Sequence, residues 1–210
     1  AEDGIRDSST SRGLGDVYKR QGALGQGTSG TPTHRSSPVQ VPGTTWAAVD
    51  CDSHVAMATK TDGTLWMWGY NSVGQLGHSN KTNYSSPKQV GSGTDWAPGT
   101  GIQYADQRKI AIGVNALAVK TDGTLWAWGK NDYGQLGQNN TTEYSSPFQI
   151  PGTTWSKFDN AYAATIAVKT DGTLWSWGYS LNGRLGLNQG SGHRYLSLIH
   201  ISEPTRRRGI

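Results

Sequence analysis

Hydrophobic and polar residues follow one pattern at three places along the chain: a run of small apolar residues, the pair Asp-Gly, and then tryptophan at alternate positions. In the first copy these parts are Val55–Ala58, Asp62-Gly63 and Leu65-Trp66-Met67-Trp68. Asp-Gly between two apolar runs favours a two-residue hairpin turn in which both central residues have positive φ. Alternation places the two tryptophans on one face of the second strand and leucine and methionine on the other. We therefore expect hairpins that are buried on both faces and need neighbouring sheets on both sides.

Each hairpin belongs to a longer motif, Asp-Gly-Thr-Leu-Trp-x-Trp-Gly, which closes a few residues later with Gly-x-Leu-Gly. The three copies begin at Thr61, Thr121 and Thr170, so their starts are 60 and 49 residues apart. This spacing is typical of proteins in which one small sheet is repeated along the chain. The residues that we expect to carry the repeated structure are Asp62, Gly63, Trp66, Trp68, Gly69, Gly74, Gly77, Asp122, Gly123, Trp126, Trp128, Gly129, Gly134, Gly137, Asp171, Gly172, Trp175, Trp177, Gly178, Gly183 and Gly186.

One repeat contains about four short strands, which is consistent with one blade of a β-propeller. A strand headed by Ser-Ser-Pro opens the unit, and a turn ending in tryptophan precedes the next strand. We place the blades at 36–84, 85–144 and 145–195, with residues 22–35 as the remnant of a preceding blade. The second blade has 11 extra residues near 97–110, which we interpret as a loop that is either a tolerated surface insertion or a binding loop. The predicted fold class is all-β, a partial β-propeller of about three four-stranded blades.

The repeated Asp-Gly, Trp-Gly and Gly-Gln-Leu-Gly elements, followed by Pro-x-x-Val, resemble the repeat of the regulator of chromosome condensation family. The resemblance covers most of 22–195 and implies that the blades belong to a seven-bladed ring. The family includes a nucleotide exchange factor for the small GTPase Ran, secreted enzyme inhibitors and interaction modules. The polar loops at 80–84 and 139–143 resemble those of bacterial or bacteriophage members. The exchange factor acts through non-repeat loops and a projecting wedge with no matching segment here, so none of its functional residues is transferred.

Both ends of the chain differ from the repeats. Residues 1–21 resemble a translated sequencing adapter, and residues 196–210 resemble the same adapter translated from the complementary strand. Segments of this kind carry no information about a fold. We interpret 1–21 as a disordered artefact and 196–210 as a second artefact, and expect a metagenomic fragment whose gene product continues past both ends. The alternative interpretation is a pair of natural tails, the second of them basic.

Composition narrows the functional classes. The formal net charge is +4, but residues 22–195 hold 12 Lys and Arg against 10 Asp and Glu, without a basic block. A surface that tracks nucleic-acid phosphates is therefore not expected. No run of 18 or more apolar residues exists, so no membrane-spanning helix is expected. Cys51 is the only cysteine, which excludes an intrachain disulfide and a cysteine-rich zinc site.

Four patterns could carry chemistry, and each has a simpler structural interpretation. The segment Asp50-Cys51-Asp52-Ser53-His54 combines nucleophile, base and acid, but triads are recognised by geometry, and we interpret it as a loop between strands. The aspartates of the Asp-Gly pairs favour turns over metal binding. The paired tryptophans could stack on sugars, but their position favours the core between blades. Asn-x-Ser/Thr sequences, interpreted as chance matches in Asn-rich loops, begin at Asn80, Asn83, Asn139 and Asn140.

We therefore predict no catalytic, cofactor-binding or metal-ligating residues. The predicted function is a non-enzymatic scaffold that binds a protein partner, rather than nucleic acid or a small-molecule substrate. A guanine nucleotide exchange factor for a small GTPase is the first alternative, and a carbohydrate-binding propeller is the second. An extracellular, cell-surface or virion location is favoured. The uncovered faces at the two ends of a three-blade stack are expected to drive association.

Overall fold

Antiparallel strands make up nearly all of the regular structure. The computed structural model describes residues 24–27, 37–52, 54–99, 109–161, 163–187 and 192–201. Within these residues, twelve strands form three four-stranded sheets, and the helical content is a single 3-10 turn, Leu181–Gly183. The predicted all-β architecture of four-stranded sheets is confirmed.

The strands of each sheet pair in the order in which they occur along the chain. The first sheet contains β1 (Trp46–Asp52), β2 (Val55–Lys60), β3 (Leu65–Gly69) and β4 (Tyr84–Gln89). The second sheet contains β5 (Ile110–Ile112), β6 (Asn115–Val119), β7 (Leu125–Gly129) and β8 (Tyr144–Gln149). The third sheet contains β9 (Trp155–Ala161), β10 (Ala164–Lys169), β11 (Leu174–Ser180) and β12 (His193–Ile201). Each sheet is an antiparallel meander, as in a propeller blade.

Several sequence-based predictions fall outside the described residues. Residues 1–21, most of the 22–35 remnant and residues 202–210 lie there, as do positions 100–108 of the insertion. Strand β12, in contrast, extends to Ile201 in the fourth position of the third sheet. The beginning of the segment interpreted as an artefact from 196 onwards thus forms an edge strand. An edge strand pairs through its backbone, so an extended segment with β-branched and apolar residues suffices for this position.

The hairpin turns differ from the expected two-residue geometry. Gly63 has a φ of +77°, whereas Asp62 is not among the residues with positive φ. The Lys60 amide donates to Thr64 O at 3.0 Å, and the Gly63 amide donates to Lys60 O at 3.0 Å. The loop therefore has three residues, a type I turn closed by a glycine in the left-handed conformation. The prediction of two positive φ values was wrong, because the aspartate side chain holds its own backbone in the turn.

The aspartate begins a chain of hydrogen bonds that explains why threonine and tryptophan follow Asp-Gly. Asp62 Oδ1 accepts from the Thr64 amide at 3.0 Å and from the Thr64 hydroxyl at 2.6 Å, and Thr64 Oγ1 accepts from Trp66 Nε1 at 2.7 Å. The same three contacts recur at Asp122 and at Asp171. The threonine hydroxyl is the largest cause of a lowered pKa at each aspartate. The turn aspartates thus hold the turn and orient the first tryptophan.

The sheets are offset from the repeat units inferred from the sequence. The Ser-Ser-Pro segments lie in β4 and β8, which pair with the preceding hairpin. Each sequence unit therefore begins with the outer strand of the sheet before it. Pro87 and Pro147 lie on these edge strands, where a missing amide hydrogen removes no bond from the ladder.

The extra residues of the second unit interrupt a strand and do not simply lengthen a loop between strands. In the first sheet Trp46 pairs with Lys60 and a β-bulge follows directly, and the third sheet has the same arrangement. In the second sheet the corresponding bridge joins Trp96 to Lys120, and β5 resumes only later. The insertion near 97–110 therefore enters at the bulge position, where a residue already stands outside the ladder.

Adjacent sheets pack face to face, and a glycine-rich loop of one unit fits against a tryptophan of the next. Leu65 and Met67 share a core cluster with Trp128 of the following sheet. Trp128 Nε1 donates to Gln75 O, in the Gly-Gln-Leu-Gly loop, at 2.9 Å. A Cβ at Gly77 would lie 2.8 Å from that nitrogen, so only glycine fits there.

The same contact recurs at the other junctions. Trp177 Nε1 donates to Gln135 O at 2.9 Å, and a Cβ at Gly137 would lie 3.0 Å from that nitrogen. A Cβ at Gly25 would lie 2.8 Å from Trp68 Nε1. Gly25 thus lies against the first sheet as Gly77 lies against the second and Gly137 against the third. It corresponds to the closing glycine of a preceding repeat.

Two sheet faces carry apolar residues on which no further sheet packs among the described residues. Ile166 in β10 is 39% exposed, although the equivalent Met57 and Leu117 are fully buried between sheets. On the opposite face of the stack, Val49 in β1 is 66% exposed, whereas its equivalent Ile110 is 1% exposed. These two faces are apolar surfaces whose counterparts form the core at the internal junctions.

Acid should destabilise the three hairpin turns together. The pKa of each turn aspartate is lower in the folded chain than its ordinary value of 3.8, so its contribution is fully present above that value and is lost as the pH falls through the lowered pKa. We expect the triple variant Asp62→Asn, Asp122→Asn, Asp171→Asn to lose less free energy of unfolding in acid than the wild type, as measured by urea denaturation. For a comparison at equal net charge, the single variant Asp62→Asn is set against Asp132→Asn, which removes one carboxylate outside the hairpin turns together with its ion pair to Lys130. An unchanged acid response in the triple variant would contradict this account.

Substitution Gly77→Ala should destabilise the chain by about 2–4 kcal/mol, because alanine combines left-handed strain with a clash against Trp128. Gly91→Ala is the matched control, since Gly91 has a φ of +62° but no atom lies within 4 Å of the position that a Cβ would take. The control should cost about 1–2 kcal/mol, the strain alone. Equal losses in thermal or urea unfolding would show that the contact with tryptophan contributes nothing.

Association through the uncovered faces should be visible by sedimentation velocity of the full chain at increasing concentration. Ile166→Asp combined with Val49→Asp should shift the distribution towards monomer, because a charge opposes burial of either face. Phe148→Asp, at a residue 44% exposed on the outer strand β8, is the control. A wild-type chain that stays monomeric throughout would refute the expectation.

Candidate functional site

The two tryptophans of each pair have different environments. The second tryptophans are buried in the sheet junctions: Trp68, Trp128 and Trp177. The first tryptophans are only half-buried, at the hairpin-turn end of the sheets: Trp66, Trp126 and Trp175. The interpretation of the pairs as core between blades therefore holds fully only for the second member.

A lysine side chain lies over each half-buried tryptophan and over the tryptophan that opens the same sheet. Lys120 Nζ is 4.4 Å from the ring centroid of Trp126 and 5.2 Å from that of Trp96. Lys60 and Lys169 make the same pair of contacts, at 4.4 to 4.8 Å. Attraction between the cation and the indole faces holds each ammonium group in place.

Two equivalent clefts open beside Lys120 and Lys169, between the outer parts of adjacent sheets. The first cleft has a volume of about 410 Å³, and its lining includes His78, Lys88, Trp96, Lys120 and Ser146. The second cleft has a volume of about 460 Å³, and its lining includes Gln138, Asn139, Gly152, Lys169, Trp175 and Leu198. Each cleft places a lysine ammonium and an indole ring at a rim that opens to solvent.

A carboxylate pairs with the lysine of the first cleft, although it is not one of the residues that line the cleft. Lys120 Nζ lies 2.9 Å from Asp95 Oδ2. Burial lowers the pKa of His78, so the imidazole is neutral at physiological pH. Lys88 Nζ donates to Tyr84 Oη at 2.8 Å, a bond that lowers the pKa of the tyrosine. The charged groups of this cleft are thus largely engaged within the chain.

The second cleft carries a less compensated positive charge. As in the first cleft, its lining contains no acidic residue, but within the described part of the chain its lysine also lacks a carboxylate partner. Lys169 lies over Trp155 and Trp175 and makes no ion pair among the described residues. Gln138 Nε2 donates to the backbone, whereas Asn139 is exposed with a φ of +54°. The amide of this asparagine is therefore available to a ligand.

The Asp50-to-His54 segment lies at the opposite end of the sheets. Asp50 Oδ2 accepts from the Ile112 amide at 2.9 Å, which links the first sheet to the second. Cys51 is exposed, and Ser53 lies outside the described residues. The interpretation of the whole segment as a loop was wrong, because Asp50, Cys51 and Asp52 pair with β2 as the end of β1.

The Asn-rich loops are ordered by their own side chains. Asn71 Nδ2 donates to Asn80 O and to Thr82 O at 2.9 Å each. Asn83 Oδ1 accepts from the Asn71 amide at 2.8 Å, and Asn80 and Asn140 each donate to a tyrosine hydroxyl. These side chains thus fix the loop backbone, and the interpretation of the Asn-x-Ser/Thr sequences as chance matches stays a prediction.

Two further properties bear on function: whether side chains are grouped so that they could bind a metal ion, and whether a helix could cross a membrane. Among the described residues, no three His, Cys, Asp or Glu side chains are grouped so as to hold a metal ion. In the same part of the chain, no helix has the length and apolar character needed to cross a membrane.

Sequence reasoning missed the lysines of the clefts, although a signal was present. Lys60, Lys120 and Lys169 each stand directly before Thr-Asp-Gly, so the lysine recurs as regularly as the aspartate. Its partner tryptophan on the neighbouring strand is 14 residues earlier in the first and third copies but 24 residues earlier in the second. Because the spacing differs, the sequence does not show that strand pairing brings each lysine to the equivalent tryptophan.

Residues 62–97 and 122–158 match the family model described as "Regulator of chromosome condensation (RCC1) repeat". Each match begins at the Asp-Gly turn and passes through the outer strand into the next sheet. Human RCC2 is 35% identical to the chain over 102 residues, which are 48% of this chain and 18% of RCC2.

Two solved structures share the fold. Prp20p from Saccharomyces cerevisiae superposes with a TM-score of 0.61 and 19% identity, covering 76% of this chain and 39% of Prp20p. Human WBSCR16 superposes with a TM-score of 0.65 and 22% identity, covering 88% of this chain and 46% of WBSCR16. The chain spans less than half the length of each of these relatives, and the likeness to the two structures concerns the fold alone.

These relatives are eukaryotic, so the bacterial or bacteriophage type stays a prediction. The matched segments are similar to RCC1 repeats, and the three sheets have the arrangement found in the β-propeller structures of these relatives.

Proposed function

We propose that the chain is a non-enzymatic interaction module that binds a protein partner through the clefts between its sheets. The proposal is carried by the repetition of one arrangement, a lysine over two indoles beside an open cleft, at successive junctions. Aromatic residues with cations beside them are typical of sites where proteins bind one another. Because hydrogen bonds within the loops fix the cleft walls, little conformational freedom is lost on binding.

The likeness to Prp20p supports a protein partner, since the structure of that protein is described together with its binding to Gsp1p and histones. Those partners belong to Prp20p, and the 19% identity gives no reason to transfer them individually. The proposal includes an extracellular, cell-surface or virion location and a bacterial or bacteriophage source.

Carbohydrate binding is the alternative that a specific observation favours. Trp66, Trp126 and Trp175 are half-buried, and sugars stack on exposed indole faces. A lysine ammonium, however, lies over one face of each of these rings. A protein side chain that meets both the lysine and the ring edge suits this geometry better than a sugar that needs the open face.

A peptide library displayed on phage tests the proposal with the full chain as bait. We expect enriched peptides that lose affinity for Ser146→Arg or Asn139→Arg, which fill the first and the second cleft respectively. Ser72→Arg, in the cleft at the opposite end of the sheets, is the matched control and should retain binding. Peptides that bind all three variants as well as the wild type would overturn the assignment of the clefts.

Two assays separate the alternatives. Release of fluorescent GDP from Ran in the presence of the chain tests guanine nucleotide exchange, and clear acceleration would replace the scaffold proposal. Binding to a glycan array that is retained when peptides fail to bind would favour the carbohydrate alternative. The three folded variants should match the wild type in circular dichroism before any comparison.

A further inference from the structure

The three lysine and tryptophan groups share one arrangement, but among the described residues only the second has a carboxylate paired with its lysine, and only in the third does a histidine ring, His200, contact the first tryptophan, at 5.3 Å between ring centroids. At the second sheet, Asp95 Oδ2 lies 2.9 Å from Lys120 Nζ, above the rings of Trp96 and Trp126. Asp95 is the residue directly before Trp96 in the connection between sheets. Asp95 thus shows, at one junction of the chain itself, that a lysine held over two indole rings can pair with a carboxylate.

The group at the third sheet lacks this carboxylate. Thr154 stands directly before Trp155, where Asp95 stands before Trp96. The connecting loop is also one residue shorter, and Thr154 has a φ of +67°. Asp171, in the adjoining turn, feels the charge of Lys169 just as Asp122 feels that of Lys120, so the turn aspartates do not account for the difference.

Without this carboxylate, the lysine of the third sheet has no ion-pair partner in the described part of the chain. Lys169 Nζ contacts the two indole rings, at 4.8 and 4.7 Å from their centroids, but makes no ion pair among the described residues. Trp155 is buried and does not line the cleft, whereas Trp175 and Lys169 do. A lysine ammonium group at the rim of a cleft, held in place but without a carboxylate partner, favours the approach of an acceptor.

The second cleft has the space and the polar groups for such an acceptor. Its volume of about 460 Å³ exceeds what one carboxylate side chain fills, and its lining contains no competing acid. Asn139 lines the same cleft, and its exposed amide makes no hydrogen bond within the part of the chain that the structure describes. A carboxylate beside Lys169 could therefore accept from the ammonium and from this amide, a charge-assisted arrangement.

We infer that the second cleft binds the carboxylate of an Asp or Glu side chain presented by a partner protein, which pairs with Lys169 as Asp95 pairs with Lys120. This inference rests on the proposed function and names the chemistry of its partner. Charge complementarity favours an acidic segment over a sugar, because Lys169 covers one face of Trp175.

The test uses the full chain and a blocked synthetic peptide of alternating Glu and Gly, compared with the same peptide carrying Gln. Binding is followed through the indole Nε1–H signals in ¹H–¹⁵N spectra, with Trp155→Phe and Trp175→Phe assigning the two signals concerned. We expect the Glu peptide to shift the Trp155 and Trp175 signals and to bind at least about tenfold more tightly than the Gln peptide. Binding should weaken as salt is added.

Two substitutions make the assignment falsifiable. Lys169→Gln should abolish the preference for Glu over Gln while the remaining indole signals stay unchanged. Asp95→Asn should free Lys120 and add a second site, reported by new shifts of the Trp96 and Trp126 signals. Equal binding of the two peptides, or a Glu preference that survives Lys169→Gln, would overturn the inference.

Failure here is distinguishable from failure of the proposed function. If neutral peptides selected on phage bind the clefts while the Glu peptide does not, the carboxylate assignment is wrong and the interaction module stands. If neither kind of peptide binds, both are wrong.

Discussion

The structure depends on one contact, the hydrogen bond from the second tryptophan of a sheet to the backbone of the preceding glycine-rich loop. Trp128 Nε1 donates to Gln75 O, and Gly77 leaves room for the ring because it lacks a Cβ. A buried indole N–H without an acceptor would destabilise the core, so the loop and the ring must stay in register. The bond joins one sheet to the next, and the repetition of both partners fixes how successive sheets pack. Strand pairing builds the blades, but this contact orders them.

Much of the fold could be predicted because the period of the pattern equals the period of the structure. Leu65 and Met67 face one junction and Trp68 faces the other, as strict alternation requires. The turn geometry could not be predicted from Asp-Gly alone, since the carboxylate of Asp62 competes for the backbone and keeps its own φ negative. The two-residue turn and the hydrogen bonds of the Asp62 carboxylate favour different φ values for Asp62. The residue types alone do not show which of the two prevails.

The candidate site was less predictable, because it is made by residues that the chain brings together only across strands and sheets. Lys120 meets Trp96 through a bridge that spans the insertion, and Gln138 and Leu198 approach the second cleft from separate sheets. Position in a repeat indicates that Lys120 has a constant neighbour, but not which residue it is. Asp95 precedes the tryptophan at one junction, and threonine takes its place at the other two. This difference matters only because the lysine and the two rings are common to all three.

The outer strand of each sheet is encoded at the head of the following repeat, and this has a consequence for how such genes change. Strands β4 and β8 have the sequences Tyr-Ser-Ser-Pro-Lys-Gln and Tyr-Ser-Ser-Pro-Phe-Gln, which differ at a single position. Recombination between two repeats would therefore exchange one edge strand for a near copy of itself and leave every core junction intact. The number of repeats in such a gene can therefore change by one at a time, and each resulting gene still encodes complete four-stranded sheets.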